Sequence, residues 1–366
     1  MLHRIGRQIL QCLPGSGDRF PSVHSVLAEG SKALHLNESP YQASRHVQDA
    51  IIKSIKNLNR YPSPQPVDLI AEIASLNGVP ANTIAIGPGS DDLLLTVALT
   101  FLEAGDESIV PAPSFGKYRN ATMVAGGTVV TAPISPTGEV SLSEMLECLT
   151  PRTRLVFVPS PNNPTGGCIC VDALLEFMSA LPERVVPVFD LAYHEYAVRS
   201  GGTDIFQALL STKRPWICVR TLSKAYCLAG ARVGYAICSD VVHQEAVLKI
   251  RSVFNVSELS IVAAVAALRD QAYLCHVVDS VVSERQSLHD ALVGLGFHVL
   301  PSHANFLAVN IGDARDAVID EMKRRGIHIA KISHANYSGY VRITVGTREE
   351  NNELKETIRI VSQLFH

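Results

Sequence analysis

The sequence has few charged residues, little excess of either sign and no long apolar run. Asp, Glu, Lys and Arg make up 18% of the 366 residues, and the formal net charge is −3. This net charge does not indicate the positively charged surface that nucleic acid binds, so we expect no nucleic-acid partner. No apolar run reaches the roughly 18 residues that a membrane-spanning helix needs, so we expect no membrane association of that kind.

The eight cysteines do not form a recognisable metal site. Cys168 and Cys170 are the only close pair, and no second pair completes a zinc site, so no metal is predicted. Scattered reduced thiols are usual in the cytosol, where we expect the protein. The segment Ile9–Leu13, after Arg4 and Arg7, is too short and too polar for a convincing signal peptide.

Short apolar runs alternate with helical patterns over residues 82–250. The runs are rich in β-branched residues, nearly continuous and bounded by Gly and Pro, as in the buried strands of a parallel sheet. They cover residues 83–86, 108–110, 128–131, 155–158, 185–189, 216–219 and 234–237. The sequence therefore predicts an α/β fold whose seven-stranded, mostly parallel sheet lies between helices.

The pattern changes near residue 258. A long helical stretch covers about 258–295, and residues 305–309 form an apolar run. A helix over about 313–325 and strands near 327–331 and 340–345 follow. These elements predict a smaller α+β domain.

The chain thus divides into three parts. We predict an N-terminal arm over residues 1–43, a large domain over 44–257 and a small domain over 258–366. Residues 1–34 show weak periodicity and are expected to be loosely structured, although the arm could complete the small domain. Apolar residues at helical spacing predict a helix over 44–58.

Five polar residues follow the predicted strands of the large domain in a suggestive order. Asn163, Asp190, Tyr193, Lys224 and Arg232 each come after one of the runs, and ligands of open parallel sheets bind outside the carboxyl ends of the strands. A lysine for an imine, an aspartate for a ring nitrogen, an asparagine and a tyrosine for a phenolic oxygen, and an arginine for a phosphate together hold pyridoxal phosphate (PLP). We therefore predict PLP as the cofactor.

Lys224 carries the central prediction. A lysine that forms a Schiff base attacks as a neutral amine, and its place after an apolar strand supplies the buried setting that favours this form. An isolated Ser-Lys pair would suggest a surface lysine instead. Arg232 and the glycine turn that precedes it favour the catalytic interpretation.

Asp190 ends a strand that is otherwise apolar, so its carboxylate needs a partner. A protonated pyridine nitrogen is a suitable one, whereas an N-cap for a helix near Leu191 is the alternative. Tyr193 and Asn163 are placed to donate to the phenolic oxygen of the same ring. The segment around Asn163 could also be a simple turn.

Residues 87–91, Gly-Pro-Gly-Ser-Asp, follow a strand and precede an apolar helix. Gly89, Ser90 and Asp91 are predicted cofactor ligands, because free backbone N–H groups at a helix start bind phosphate. Ser90 could instead be an ordinary N-cap, and the side chain of Asp91 should point away from a phosphate. Phe115 is either a ring that stacks on the cofactor or a core aromatic residue.

Arg342 interrupts an apolar strand of the small domain. A guanidinium binds a carboxylate through two parallel hydrogen bonds, so we predict that Arg342, with Asn163, binds the substrate. If Arg342 holds the carboxylate near the ring plane, the Cα–H bond is the one weakened, and Lys224 can move the proton. An exposed edge arginine is the alternative.

At these residues the chain resembles the histidinol-phosphate aminotransferase group of the class I/II, fold-type I aminotransferases. The resemblance runs from about residue 35 to the C-terminus, through segments 36–40, 59–62, 89–91, 161–166, 221–232, 304–306 and 342–347. It implies transfer of an amino group from an L-amino acid to a 2-oxoacid, with 2-oxoglutarate as the expected acceptor. It also implies a homodimer.

The resemblance assigns further cofactor contacts. It implies Ser223 and Arg232 as phosphate ligands, with Thr221 also at the cofactor, and Tyr61 reaching the phosphate in the neighbouring subunit. A first departure is Leu191, where the family usually has glutamate, and the ring contacts survive it.

A second departure is Ala330, where histidinol-phosphate aminotransferases typically carry an arginine for the substrate phosphate. Lys331 or His328 would have to replace that arginine. We therefore predict an altered side-chain pocket for a non-phosphorylated amino acid. The alternatives are histidinol phosphate itself, a decarboxylase on the same scaffold, and a non-catalytic protein that keeps the fold.

Overall fold

The computed structural model describes residues 30–364, which build two sheets. Seven strands in the order β2-β8-β7-β6-β5-β3-β4 form the large sheet, and five in the order β1-β11-β12-β10-β9 form the small sheet. The strands are β1 (Lys32–Leu34), β2 (Ile84–Gly87), β3 (Glu107–Ala112), β4 (Thr128–Pro133), β5 (Thr153–Pro159), β6 (Val186–Asp190), β7 (Ile217–Thr221), β8 (Gly234–Cys238), β9 (His298–Val299), β10 (Phe306–Asn310), β11 (Ile327–Lys331) and β12 (Tyr340–Thr344).

The α-helices lie mainly between the strands in sequence. They are α1 (Arg45–Ser54), α2 (Val67–Asn77), α3 (Ser90–Phe101), α4 (Gly116–Ala125), α5 (Leu142–Glu147), α6 (Val171–Ala180), α7 (His194–Arg199), α8 (Ile205–Leu210), α9 (Val241–Ile250), α10 (Glu258–Arg269), α11 (Gln271–Gly294), α12 (Arg315–Arg324) and α13 (Arg348–Leu364). The predicted helix over 44–58 is α1 with a short 3₁₀ turn after it, and Ser44 caps it by accepting from the Val47 amide.

The large sheet confirms the α/β prediction, since each of the seven apolar runs is one of its strands. Strand β8 alone runs antiparallel to its two neighbours, β2 and β7. Separate apolar clusters pack on the two faces of this sheet; Phe189 belongs to one cluster and Val188 to the other. Burial of both faces explains why the runs are nearly continuous rather than alternating.

The small sheet begins with the arm. Strand β1 pairs in parallel with β11, with Lys32 opposite Ile327, so the arm completes the small sheet. The prediction of a loosely structured segment over 1–34 is therefore wrong for residues 32–34, whereas residues 1–29 lie outside the described residues. Pairing with β11 over three residues outweighs the weak local pattern, because strand formation depends more on the neighbouring strand than on local sequence preference.

The predicted helical stretch over 258–295 is two helices rather than one. Helix α10 ends before Asp270, whose side chain accepts from the Tyr273 amide and so caps α11. The two helices differ in direction by 79°. Helix α10 packs in the apolar cluster of the large sheet, which favours a domain boundary after it, and the predicted domain limits stay a prediction.

Within residues 30–364, no single helix combines the length and apolar composition needed to cross a membrane. Helices α10 and α11 satisfy that test only when they are taken together, across their bend.

Candidate active site

A cavity of about 540 Å³ opens at the carboxyl ends of the central strands of the large sheet. Eleven of the predicted site residues line this central cavity. They are Ser90, Asp91, Phe115, Asn163, Asp190, Tyr193, Thr221, Ser223, Lys224, Arg232 and Arg342. Parallel strands that end at one edge bring together residues far apart in sequence, which is why the order of motifs predicted a common site.

Asp190 is the last residue of β6 and is buried, with 6% of its surface exposed. Its Oδ2 accepts from the Tyr118 hydroxyl at 2.7 Å, and its Oδ1 accepts from the Ala192 amide at 3.1 Å. The next α-helix begins only at His194, so Asp190 is not an N-cap. Burial raises the pKa of Asp190 to about 6, although the Tyr118 hydrogen bond opposes the shift.

Lys224 follows β7 and extends into the central cavity, where its Nζ donates to the Leu36 carbonyl at 3.2 Å. Desolvation, and then the positive charge of Arg342, lower the pKa of Lys224 to about 8. The neutral amine is therefore more accessible near neutral pH than in a free lysine, as a nucleophile requires.

One end of the central cavity collects groups suited to an anion. Gly89, at φ 90°, is the N-cap of α3, so Ser90 is the first helical residue and not the cap. The Thr221 hydroxyl donates to Ser223 Oγ at 2.9 Å, and an Arg232 guanidinium nitrogen donates to the same oxygen at 3.3 Å. A Cβ at Gly89 would lie 2.5 Å from the Arg232 guanidinium, and the φ of 90° at this position favours glycine over residues with a side chain.

Two other predicted site residues, Asp91 and Phe115, also line the central cavity. Asp91 lines the central cavity, and its carboxylate forms an ion pair with Lys117 at 3.3 Å. Phe115 precedes α4, lines the central cavity and meets Tyr118 edge-on, with ring centroids 5.8 Å apart. The ring faces the cavity and also packs on a buried aromatic residue, and its stacking on the cofactor stays a prediction.

Arg342 lies on β12 and points into the central cavity from the small sheet. Its guanidinium donates to Asn163 Oδ1 at 2.7 Å and to the His35 carbonyl at 2.5 Å. Its Nε is buried and has no partner among the described residues. The guanidinium of Arg342 therefore links the two sheets, and its Nε is a donor that a ligand could use.

Tyr61 lies elsewhere. Its side chain is 82% exposed and stacks on Phe254, with ring centroids 4.9 Å apart. It is absent from the described residues that line the central cavity of its own subunit.

Tyr118 and Asn37 also line the central cavity, and the sequence analysis missed both. Tyr118 contacts Asp190 from α4, and Asn37 Nδ2 donates to the Tyr193 hydroxyl at 2.9 Å. Asn37 lies within segment 36–40, which carries part of the family resemblance, so that resemblance could have identified it. Tyr118 carries no such signal, since a tyrosine inside a helix is an ordinary core residue.

Comparison with known proteins identifies the family. The model of the family described as "Aminotransferase class I and II" matches residues 32–358. The chain belongs to the class I and II aminotransferases. This aminotransferase is 35% identical over 337 residues to histidinol-phosphate aminotransferase 2 of Carboxydothermus hydrogenoformans, covering 90% of this chain and 91% of that protein. It is 38% identical over 325 residues to the aromatic amino acid aminotransferase of Rhodococcus opacus, covering 88% of each.

A solved structure agrees with both the family and the fold. The histidinol-phosphate aminotransferase of Sinorhizobium meliloti, in complex with pyridoxal-5'-phosphate, superposes with a TM-score of 0.90 at 30% identity. The match covers 99% of this aminotransferase and 98% of that chain. The resemblance drawn from the sequence motifs, including the fold-type I architecture, is therefore confirmed.

Proposed function

We propose that this aminotransferase uses PLP to move the amino group of a non-phosphorylated L-amino acid to a 2-oxoacid, with 2-oxoglutarate as the expected acceptor. The observation that carries the substrate assignment is the position of Ala330. It lies directly opposite Arg342 on the neighbouring strand. Residues directly opposite across antiparallel strands share one face, so Ala330 faces the substrate side.

The residues of the central cavity fit the cofactor. The start of α3, Ser223 and Arg232 offer several donors to a phosphate, and the Arg232 guanidinium lies close to Gly89, the N-cap of α3. The buried carboxylate of Asp190, whose pKa is raised to about 6, would regain its charge beside a cationic ring nitrogen. When bound, PLP withdraws electrons from the substrate Cα.

The protein's own residues supply binding and proton transfer. Arg342 binds the substrate carboxylate through its guanidinium, exchanging the present contact with Asn163 for a charged partner. Lys224, held by the Leu36 carbonyl and with a pKa of about 8, would take the proton from the substrate Cα and return it to C4′ of the cofactor. Asn163 uses only its Oδ1 in the contact with Arg342, so its Nδ2 can donate to the phenolic oxygen of the ring with or without that contact.

The two candidates for the missing arginine are poorly suited to a phosphate. Lys331 precedes Ile332 and follows Ala330 on β11, so its side chain points to the opposite face of the strand, where its Nζ lies 2.7 Å from Asp316. His328 shares the face of Ala330. Burial, and then the charge of Lys323, lower the pKa of His328, which disfavours the cationic imidazole that a phosphate would need.

We expect the purified, PLP-loaded protein to convert single amino acids, in the absence of an acceptor, and to leave histidinol phosphate largely unchanged. Ala330→Arg should raise kcat/KM for histidinol phosphate by about 10-fold or more, because a hydrogen bond to a charged group contributes about 1.5–3 kcal/mol. The measurement is the absorbance change of the cofactor in a half-reaction with each donor.

Lys331→Ala is the matched control on the adjacent residue. We expect no change in the donor profile of this variant, because Lys331 is paired with Asp316 on the far face. Efficient conversion of histidinol phosphate by the wild type, with no conversion of free amino acids, would overturn the substrate proposal. The histidinol-phosphate relatives make that outcome the second candidate function.

We also propose that the enzyme is a homodimer in the cytosol. Apolar side chains are exposed on the segments near Tyr61 in sequence and on the segment of Phe254, whose ring stacks on Tyr61, and exposed apolar surface of this kind indicates a contact surface. They are Ile52, Ile55, Leu58, Val67, Val253 and Phe254, each between 42% and 70% exposed. A tyrosine on this surface can reach a neighbouring subunit. The free state of the seven described cysteines supports a reducing compartment.

Mixed dimers test whether Tyr61 acts across the interface. Tyr61→Phe should weaken PLP binding by about 10-fold, because a hydrogen bond to the charged phosphate is lost. When a Tyr61→Phe subunit is co-expressed with a Lys224→Ala subunit, the heterodimer has one site with both wild-type residues. We expect its activity at limiting PLP to reach about half that of the wild type. Activity no higher than that of the Tyr61→Phe homodimer would place Tyr61 in its own subunit's site.

A further inference from the structure

Asn37 occupies an unusual position next to the central cavity. It is 1% exposed and adopts a left-handed backbone conformation, with φ of 54°, which asparagine tolerates better than most residues. The preceding residue, Leu36, accepts the hydrogen bond from Lys224 through its carbonyl. One short segment of the arm therefore contacts the two predicted catalytic groups Lys224 and Tyr193.

The hydrogen bonds of Asn37 fix the direction of its amide. Its backbone N–H donates to Thr344 Oγ1 at 3.0 Å, and the Thr344 hydroxyl donates to Asn37 Oδ1 at 3.2 Å. With Oδ1 held as an acceptor, Nδ2 faces the Tyr193 hydroxyl at 2.9 Å and donates to it. The amide nitrogen of asparagine has no acceptor capacity, so the tyrosine oxygen is the acceptor in this pair.

This pairing restricts the hydrogen of Tyr193. A phenolic hydrogen stays near the plane of its ring, so it has two favoured directions, and the Asn37 N–H occupies one of them. The second direction is left for donation within the central cavity, which Tyr193 lines. The Tyr193 ring itself is held edge-on against Phe306, with centroids 5.3 Å apart.

We propose that Asn37 is a positioning residue that directs the Tyr193 hydroxyl to donate to the phenolic oxygen of the cofactor. The inference rests on the proposed function, since it needs PLP in the central cavity. It adds a residue of the arm to the site and links that residue to the small sheet, because Asn305 Nδ2 donates to the Asn37 carbonyl at 3.1 Å.

Several charged groups near the central cavity affect the pKa values of Tyr193 and Lys224. Arg342, Asp190 and Asp91 act on Tyr193, and Glu38, Asp91, Arg342 and Arg232 act on Lys224. A donor to the phenolic oxygen stabilises its anionic form and so makes the nitrogen that joins Lys224 to the cofactor less basic. Loss of that donor should raise the pH at which the absorbance band of the bound cofactor titrates.

The test is a double-mutant cycle on that pH midpoint. Asn37→Asp replaces the donor by an acceptor that draws the Tyr193 hydrogen away, and we expect the midpoint to rise by about one pH unit. Asn37→Gly, which tolerates the positive φ, should produce a smaller rise. Tyr193→Phe should raise the midpoint as well, and in that background the shift caused by either change at Asn37 should largely disappear.

Asn305→Asp is the matched control, since it adds the same charge beside Asn37 without contacting Tyr193. Its shift should be equal in the Tyr193 and Tyr193→Phe backgrounds. Thermal unfolding of each unloaded variant shows that it is folded. Equal shifts of Asn37→Asp in both backgrounds, or no shift at all, would overturn the role of Asn37. Absence of the bound-cofactor band in the wild type would instead overturn the proposed function.

Discussion

Replacing Lys224 with alanine is expected to abolish covalent attachment of PLP and to lower transamination by about 10⁴-fold or more, because the nucleophile and the proton carrier are lost together. The lysine amine extends into the central cavity, and its pKa is already lowered to about 8. The measurement is the mass of the peptide that contains Lys224 after borohydride reduction, together with the half-reaction rate.

Two further lysine variants sharpen this prediction. Lys224→Arg keeps a positive charge near Glu38 and Asp91 but has no usable nucleophile, so it should be as inactive as the alanine variant. Lys117, which pairs with Asp91 at the rim, is the matched control, and Lys117→Ala should keep the covalent cofactor. Retention of the reduced cofactor on another residue of Lys224→Ala would show that the assignment is wrong.

Asp190→Asn is expected to change activity and stability in opposite directions. The variant should lose about 10²–10³-fold in turnover, because a neutral amide does not hold the ring nitrogen in its cationic form. The unloaded variant should nevertheless be more stable at pH 7.5, by at most about 3 kcal/mol, because burying the ionised carboxylate of Asp190 opposes folding. Activity assays and denaturant unfolding of the unloaded protein measure the two effects.

The sign of the pH dependence follows from the raised pKa. The folded-state pKa of Asp190, about 6, lies above its ordinary value of 3.8, so the folded protein binds the proton more tightly than the unfolded chain. The free energy of unfolding of the wild type therefore falls as pH rises from 3.8 through 6. The advantage of Asp190→Asn should shrink as pH falls through this window. An advantage that is constant with pH would contradict the explanation.

Much of the large domain could be predicted because burial on both faces leaves a clear sequence pattern. The seven apolar runs became seven strands, and the polar residues after them met at one edge of the sheet. Lys224 and Asp190 were recognisable because a charged group beside a buried strand needs a partner. The order of the motifs then indicated PLP as that partner.

Other features depend on contacts that sequence patterns do not encode. Strand β1 is three residues long and exists because β11 offers it an edge. The bend at Asp270 was hidden, since both helices that flank it are apolar and helical in pattern. Tyr118 and Asn37 are site residues through their partners, Asp190 and Tyr193, and those pairs join distant parts of the chain.

The pairing of β1 with β11 has a consequence for the order in which the protein can mature. Strand β1 leaves the ribosome before the large sheet has been made, but its partner β11 is synthesised only after the strands of that sheet. Until then Leu36 and Asn37 lack the framework that holds them against Lys224 and Tyr193. The large sheet can fold while synthesis continues, since domains generally fold as units. A nascent chain, or one truncated before β11, would therefore carry the lysine and the phosphate-binding groups without a finished site, and competence for catalysis would arrive only once β11 and β12 had been made.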